Sequence, residues 1–265
     1  RGISFLQNKH EEDVENYLYP SYMGCLYESS GLWYQAKECY ELALSKAYKL
    51  LPLYRLGEIL VKLGEDKEAR KCYKMVLELD STHVQAHLNI ADICHRLNHK
   101  VQELFHIRKA FALNPYAVNI EYLASLLKEN ELLELKEKLG SLLNERNASF
   151  VYDSLGYVYG VLGDYRAEEE YVSKALALEP EEIPLLMHRI QITLRKKKFA
   201  EAKKEILPLL CKDMENRNLY ELFVDIHVSA GSMLTLEKVI NRLKLSDHDK
   251  SKVSMYTAAA FDKVL

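Results

Sequence analysis

Five of the nine histidines fall between positions 83 and 106, as His83, His87, His95, His99 and His106, with Asp92 and Cys94 among them. His83/His87 and His95/His99 have i, i+4 spacing, which sets two imidazoles on one helix face. With a carboxylate or thiolate nearby, such a pair could ligate zinc or a related cation. Helical phasing works against a shared site, because His87 falls on the core side, His99 in a turn and His95 on an open face. The expectation is no metal and no cofactor. The strongest basic cluster, Arg195-Lys196-Lys197-Lys198 with Lys203 and Lys204, lies at a helix–helix turn. A nucleic-acid surface needs a longer stripe with interleaved aromatics. The cluster reads as a solvated turn, with contact to an acidic partner as the alternative. No phosphate-binding glycine loop, nucleophile elbow, zinc-protease or kinase motif occurs. Catalytic residues are therefore expected to be none, and the chain is expected not to be an enzyme.

The elements that carry these residues follow from composition and spacing. The chain has 265 residues, 48% hydrophobic and 28% charged, with only six prolines and ten glycines, which favours folded helix over disorder. The net charge of −3 gives no global field directed at nucleic acid or an anionic membrane. No apolar run is long enough to span a bilayer, so no direct membrane insertion is expected. The opening Arg1-Gly2-Ile3 lacks a methionine and reads as the start of a fragment of a longer chain. Cys25, Cys39, Cys72, Cys94 and Cys211 are odd in number and show no paired motif. They are expected to be free thiols in a reducing, cytoplasmic compartment.

Three glycine pairs, Gly24/Gly31, Gly57/Gly64 and Gly156/Gly163, share one seven-residue spacing, and the phrase behind them recurs at 33 or 34 residues or about three such periods. A fixed period in this range marks stacked helix pairs. Repeats then start near 17, 50, 84, 117, 149, 183 and 217. The glycines, or alanines, at step 8 let two helices approach closely. Step 15 holds Gly31, Gly64, Asn98, Gly163 and Gly231, residues that tolerate a left-handed turn.

The phased pattern resembles the tetratricopeptide repeat family. It has Tyr27 and Tyr159 at step 11, Tyr165 and Phe199 at 17, and Ala36, Ala69 and Ala202 at 20. Tyr40 and Tyr73 stand at 24, Ala43, Ala110 and Ala175 at 27, and Pro115 and Pro180 at 32. The resemblance implies an all-α, right-handed superhelical solenoid of about seven helix pairs over 17–248. An N-terminal cap or preceding helix is expected at 1–16, and a C-terminal capping helix at 249–265. Repeats 4, 6 and 7 are degenerate: Arg189 stands where a core leucine is expected, repeat 4 is short, and Pro208 should kink or end its helix.

In this family the first helices line a concave groove. Mapped here, the partner-binding residues would be Tyr54, Glu58, Asn89, Asp92, His95 and Arg96, then Asp153, Tyr157 and His188. Aromatic anchors with charges of both signs suit a peptide or helix. The family's chaperone-tail clamp is excluded, since Asn89 is its single match. Its asparagine ladder also fails, because step 6 reads Tyr22, Arg55, Asn89, Tyr122, Ser154, His188, Leu222. The resemblance thus implies a non-catalytic scaffold that presents a groove to a protein or peptide partner within a multiprotein complex. A regulatory or substrate-docking region of a larger enzyme or secretion assembly is the alternative, and a peptide-signal sensor is another.

Overall fold

The computed structural model describes residues 17–144, 147–213 and 216–231; the expected caps at 1–16 and 249–265, and the second helix of repeat 7, lie outside them. Among the described residues there are thirteen α-helices and no strands. They are α1 (Leu18–Ser29), α2 (Trp33–Lys46), α3 (Leu50–Lys62), α4 (Asp66–Leu79), α5 (Val84–Arg96), α6 (Lys100–Leu113) and α7 (Ile120–Leu126). Then follow α8 (Glu129–Ser141), α9 (Ala148–Val161), α10 (Tyr165–Leu178), α11 (Ile183–Arg195), α12 (Phe199–Lys212) and α13 (Arg217–Ser229). The chain divides into two compact halves at Leu126/Leu127, inside repeat 4.

Within each half the repeat closes its helix pair in one way. Glu65 N–H donates to Leu60 O at 2.8 Å and Gly64 N–H to Val61 O at 3.1 Å, the paired bonds that end a helix around a left-handed residue. The same pair recurs at Gly31/Leu32, Asn98/His99, Gly163/Asp164 and Lys197/Lys198. All five step-15 residues have positive φ, from 56° at Asn98 to 83° at Gly163. In repeat 6 the position falls to Lys197, at φ 60°.

Step 8 works through contact with step 24. A β-carbon added at Gly24 would meet the Tyr40 ring at 2.7 Å, and one at Gly57 the Tyr73 ring at 2.7 Å. Both rings are about 1% exposed, so the glycine is what admits the tyrosine to the core. In the N-terminal half, α2 to α5 share one apolar core built on Tyr40, Leu53, Ile59, Tyr73, Val76, Ile90 and Ile93. In the C-terminal half, α11 to α13 share another, built on Ile190, Ile206, Leu219, Tyr220 and Phe223. Pro208 does not end its helix, since α12 runs on to Lys212. In repeat 6 Arg189 turns outward to Glu205 at 3.6 Å, and the neighbouring His188 is buried.

Candidate functional site

α5, α6 and the start of α7 with the residues before it line an open cavity of about 300 Å³ in the N-terminal half. Its apolar wall is Leu88, Ala91, Ile107 and Val118; its polar side is Asp92, His95, Glu103, Asn119 and Tyr122. Each polar group has a traceable cause. Asn119 starts α7 by accepting the Tyr122 backbone N–H at 2.9 Å, which fixes Tyr122 on that helix's first turn. Glu103 stands at step 20 of repeat 3, where repeats 1, 2 and 6 carry alanine, and its side chain is only 3% exposed. His95 Nδ1 lies 3.0 Å from Glu103 Oε1, and the Tyr122 hydroxyl donates to the same oxygen. His95 and Tyr122 also meet edge to face, with ring centroids 5.6 Å apart. Burial, then the hydrogen bond to Glu103, pushes the Tyr122 phenol up from its ordinary value.

One step towards the N-terminus, Asn89 donates to the Tyr54 hydroxyl at 3.4 Å and accepts from Gln85 at 3.0 Å. The Tyr54 ring leans on His83, centroids 4.9 Å apart, and on Tyr73. Glu58 pairs with Arg55 at 3.0 Å. Arg96 turns from the cavity to grip Asp66 of the preceding repeat through two bonds, Nη2 to Oδ1 at 2.6 Å and Nε to Oδ2 at 3.0 Å. Those bonds raise its pKa, and they make Arg96 a staple between repeats 2 and 3 before it is anything else. Asp92 pairs with Arg96 across one turn and is otherwise open, its side chain 64% exposed.

In the C-terminal half the expectation for His188 needs correcting. Its side chain is 1% exposed and so lines no accessible wall. Nδ1 lies 2.7 Å from Asp153 and Nε2 lies 3.3 Å from Glu168, so both ring nitrogens face carboxylates. Burial pushes its pKa down, but the bonds to Asp153 and Glu168 outweigh that and leave it raised. Tyr157 stacks on the buried imidazole, centroids 3.6 Å apart and planes 10° from parallel. Asp153 is drawn into the same cluster, with its side chain 16% exposed. Asp153 and Glu168 hold the ring from two sides, a pairing that the groove mapping did not anticipate.

The fold thus brings Asp92 and His95 together at a cavity, joins Tyr54 to Asn89 across neighbouring first helices, pairs Glu58 with Arg55, and diverts Arg96 and His188 into structural pairs. Glu103 and Tyr122 were not singled out in the sequence. The signal for Glu103 was there: a carboxylate at step 20, where Ala36, Ala69 and Ala202 mark a buried contact. Among the described residues no group of three or more His, Cys, Asp or Glu side chains is arranged to hold a metal. The described histidines of repeat 3 instead include a close pair, His87 and His106, with Nδ1 atoms 2.9 Å apart. No described helix is long and apolar enough to cross a membrane.

Stacked helix pairs closed by one turn motif define a helical-repeat protein of the all-α class. The tetratricopeptide repeat family matches residues 51–83 and 151–182, the second and fifth repeats of the sequence register. A TPR repeat-containing protein of Methanocaldococcus jannaschii is 24% identical over 193 residues, 68% of this chain and 33% of that protein. The chain therefore spans about a third of that relative's length. The crystal structure of a tetratricopeptide repeat protein from Parabacteroides merdae aligns at a TM-score of 0.66 with 17% identity, covering 91% of this chain and 98% of that one. YrrB, described as a TPR protein with an unusual peptide-binding site, aligns at 0.51 with 18% identity over 73% and 97% of the two chains. Residues 51–83 and 151–182 thus match tetratricopeptide repeats, and the fold of the described residues is similar to that of solved tetratricopeptide repeat proteins.

Proposed function

We propose that the chain is a non-catalytic interaction scaffold whose N-terminal half receives a partner peptide along the first helices of repeats 2 to 4. The observation that carries this is the concave cavity of about 300 Å³ lined by Asp92 and His95, apolar on one wall and polar on the other. Half-buried aromatic and amide groups there are held by their neighbours, so little ordering cost falls on binding. Tyr54, Glu58, Asn89, Asp92 and His95 are the contact set. The second set, Asp153 and Tyr157, rests on the buried His188 cluster and serves the fold of its own half. The peptide-binding site named for YrrB is in keeping with this use of the repeat. The same reading covers a docking region within a larger enzyme or assembly, because the contact chemistry is identical.

The test is affinity capture with the intact protein, followed by peptide mapping of what is retained. A Tyr54→Ala/Asn89→Ala double variant is expected to keep its helical circular dichroism and lose the captured partner. Capture that survives the double variant would place binding on another face.

A further inference from the structure

We propose that the cavity between α5, α6 and α7 is a receptor for a basic side chain, an arginine of the partner segment, held by Glu103 and Asp92. The inference rests on the reading that this face receives a peptide, and it adds what that peptide must carry.

The argument is an internal comparison. Step 20 is glutamate in two repeats, Glu103 and Glu168, and both are withdrawn from water, at 2% and 1% exposure. Both meet the step-6 residue of the following repeat, Tyr122 in one case and His188 in the other. They differ in what neutralises them. Glu168 has the chain's own cations: His188 at Oε1 and the Arg195 guanidinium at Oε2. Arg195 stands at step 13, the last residue of α11. The corresponding helix after Glu103 is α7, which stops at Leu126, step 10, and so ends before a step-13 side chain can be carried on it. Among the described residues no lysine or arginine pairs with Glu103, and both hydrogen bonds it accepts end on Oε1.

The short helix therefore leaves a cavity where the other half holds a guanidinium. A carboxylate withdrawn from water without a full cation beside it is costly, and an incoming cation relieves that cost. Asp92, which pairs with Arg96 on its own helix and is otherwise open, adds a second carboxylate among the lining residues, and no lysine or arginine is among them. Ala91, Ile107 and Val118 offer an apolar wall for the methylene stem. The planar fork of a guanidinium can address two carboxylates at once and sheds water more readily than an ammonium. Acidic side chains are repelled from the same place.

The probe is N-acetyl-arginine N-methylamide, titrated into methyl-labelled protein and followed by NMR, with the citrulline, lysine and glutamate analogues alongside. Arginine should shift the methyls of Ala91, Ile107 and Val118, lysine should shift them less, and neutral citrulline and glutamate should leave them in place. Glu103→Gln should weaken arginine binding by at least about tenfold, as expected for loss of a charge-assisted bond. Asp92→Lys, at an exposed position, should do the same and keeps the test open if the buried substitution unfolds the repeat. Equal shifts with citrulline, or arginine binding unchanged in either folded variant, would overturn the proposal. Partner capture separates the two ideas. If capture depends on Tyr54 and Asn89 but arginine shifts nothing, the groove stands and the cation receptor falls. If arginine binds at the cavity while capture survives the double variant, the receptor stands and the peptide path is wrong.

Discussion

Gly160 lies so close to Glu168 that a β-carbon on it would stand 2.5 Å from Oε1. Glycine at step 12 is thus the counterpart of glutamate at step 20: the missing side chain is the space the buried carboxylate occupies. The carboxylate is a flexible end group, but Arg195 and His188 hold it from two sides. Gly160→Ala should therefore destabilise the C-terminal half by about 1–3 kcal/mol, although a glycine-to-alanine change inside a helix ordinarily stabilises it. Equilibrium denaturation of the variant checks this, and a neutral result would mean the carboxylate moves aside freely.

Gly57→Leu should overpack the helix pair of repeat 2 against the Tyr73 ring, at a cost of about 1–3 kcal/mol. Gly140 is the internal control. A β-carbon there meets nothing within 4 Å, so Gly140→Ala is expected to gain about 0.5–1 kcal/mol from helix propensity. Thermal melts of the two variants should move in opposite directions.

Lys197 holds a left-handed conformation, φ 60°, at a turn where Gly31, Gly64 and Gly163 do the same without penalty. Lys197→Gly should raise stability by up to about 1 kcal/mol, the strain relieved less the added freedom of the unfolded chain. A lower melting temperature would show that the lysine side chain contributes more than its backbone costs.

His106 and His188 should contribute to the pH dependence with opposite sign, and His227 in the C-terminal half, lowered by burial, acts in the sense of His106. His106 is pushed down to about 4 by burial first and then by the adjacent His87, with Arg70 and Lys74 adding to it. A depressed histidine binds protons more readily in the unfolded chain. Its stabilising effect is present above about 6.5 and is lost as pH falls towards the folded value. His188 is raised, so its contribution is present below about 6.5 and is lost as pH rises through its folded value. Glu168 is lowered, because the bonds from His188 and Arg195 outweigh burial, and it contributes until pH drops below the carboxylate range. Trp33, the single tryptophan, lies in the N-terminal half and can report it. Its fluorescence melt should fall between pH 7 and pH 5, and His106→Asn should flatten that dependence.

None of the five cysteines is bonded to another. Cys25 and Cys211 are exposed, whereas Cys72 and Cys94 are buried, and burial pushes the Cys72 thiol up to about 11. A thiol-reactive dye at neutral pH should label Cys25 and Cys211 quickly and Cys72 and Cys94 only on unfolding. Fast labelling of Cys72 would contradict the packing of α4 in the core.

The sequence by itself determined the repeat: its period, its helix pairs, and the steps at which glycine must stand. These are local demands. A left-handed turn needs Gly31 or Gly64 whatever surrounds it, and a close helix pair needs Gly57 under Tyr73. What each polar side chain does was decided by the next repeat, which no periodic rule contains. His188 and Tyr122 share step 6, yet one is sealed between two carboxylates and the other borders a cavity. Arg96 sat on the expected face and was claimed by Asp66, 30 residues earlier in the chain. The difference between Glu168 and Glu103 depends on whether the following helix reaches step 13. That is a matter of helix length and charge pairing in three dimensions, and tertiary packing alone settles it.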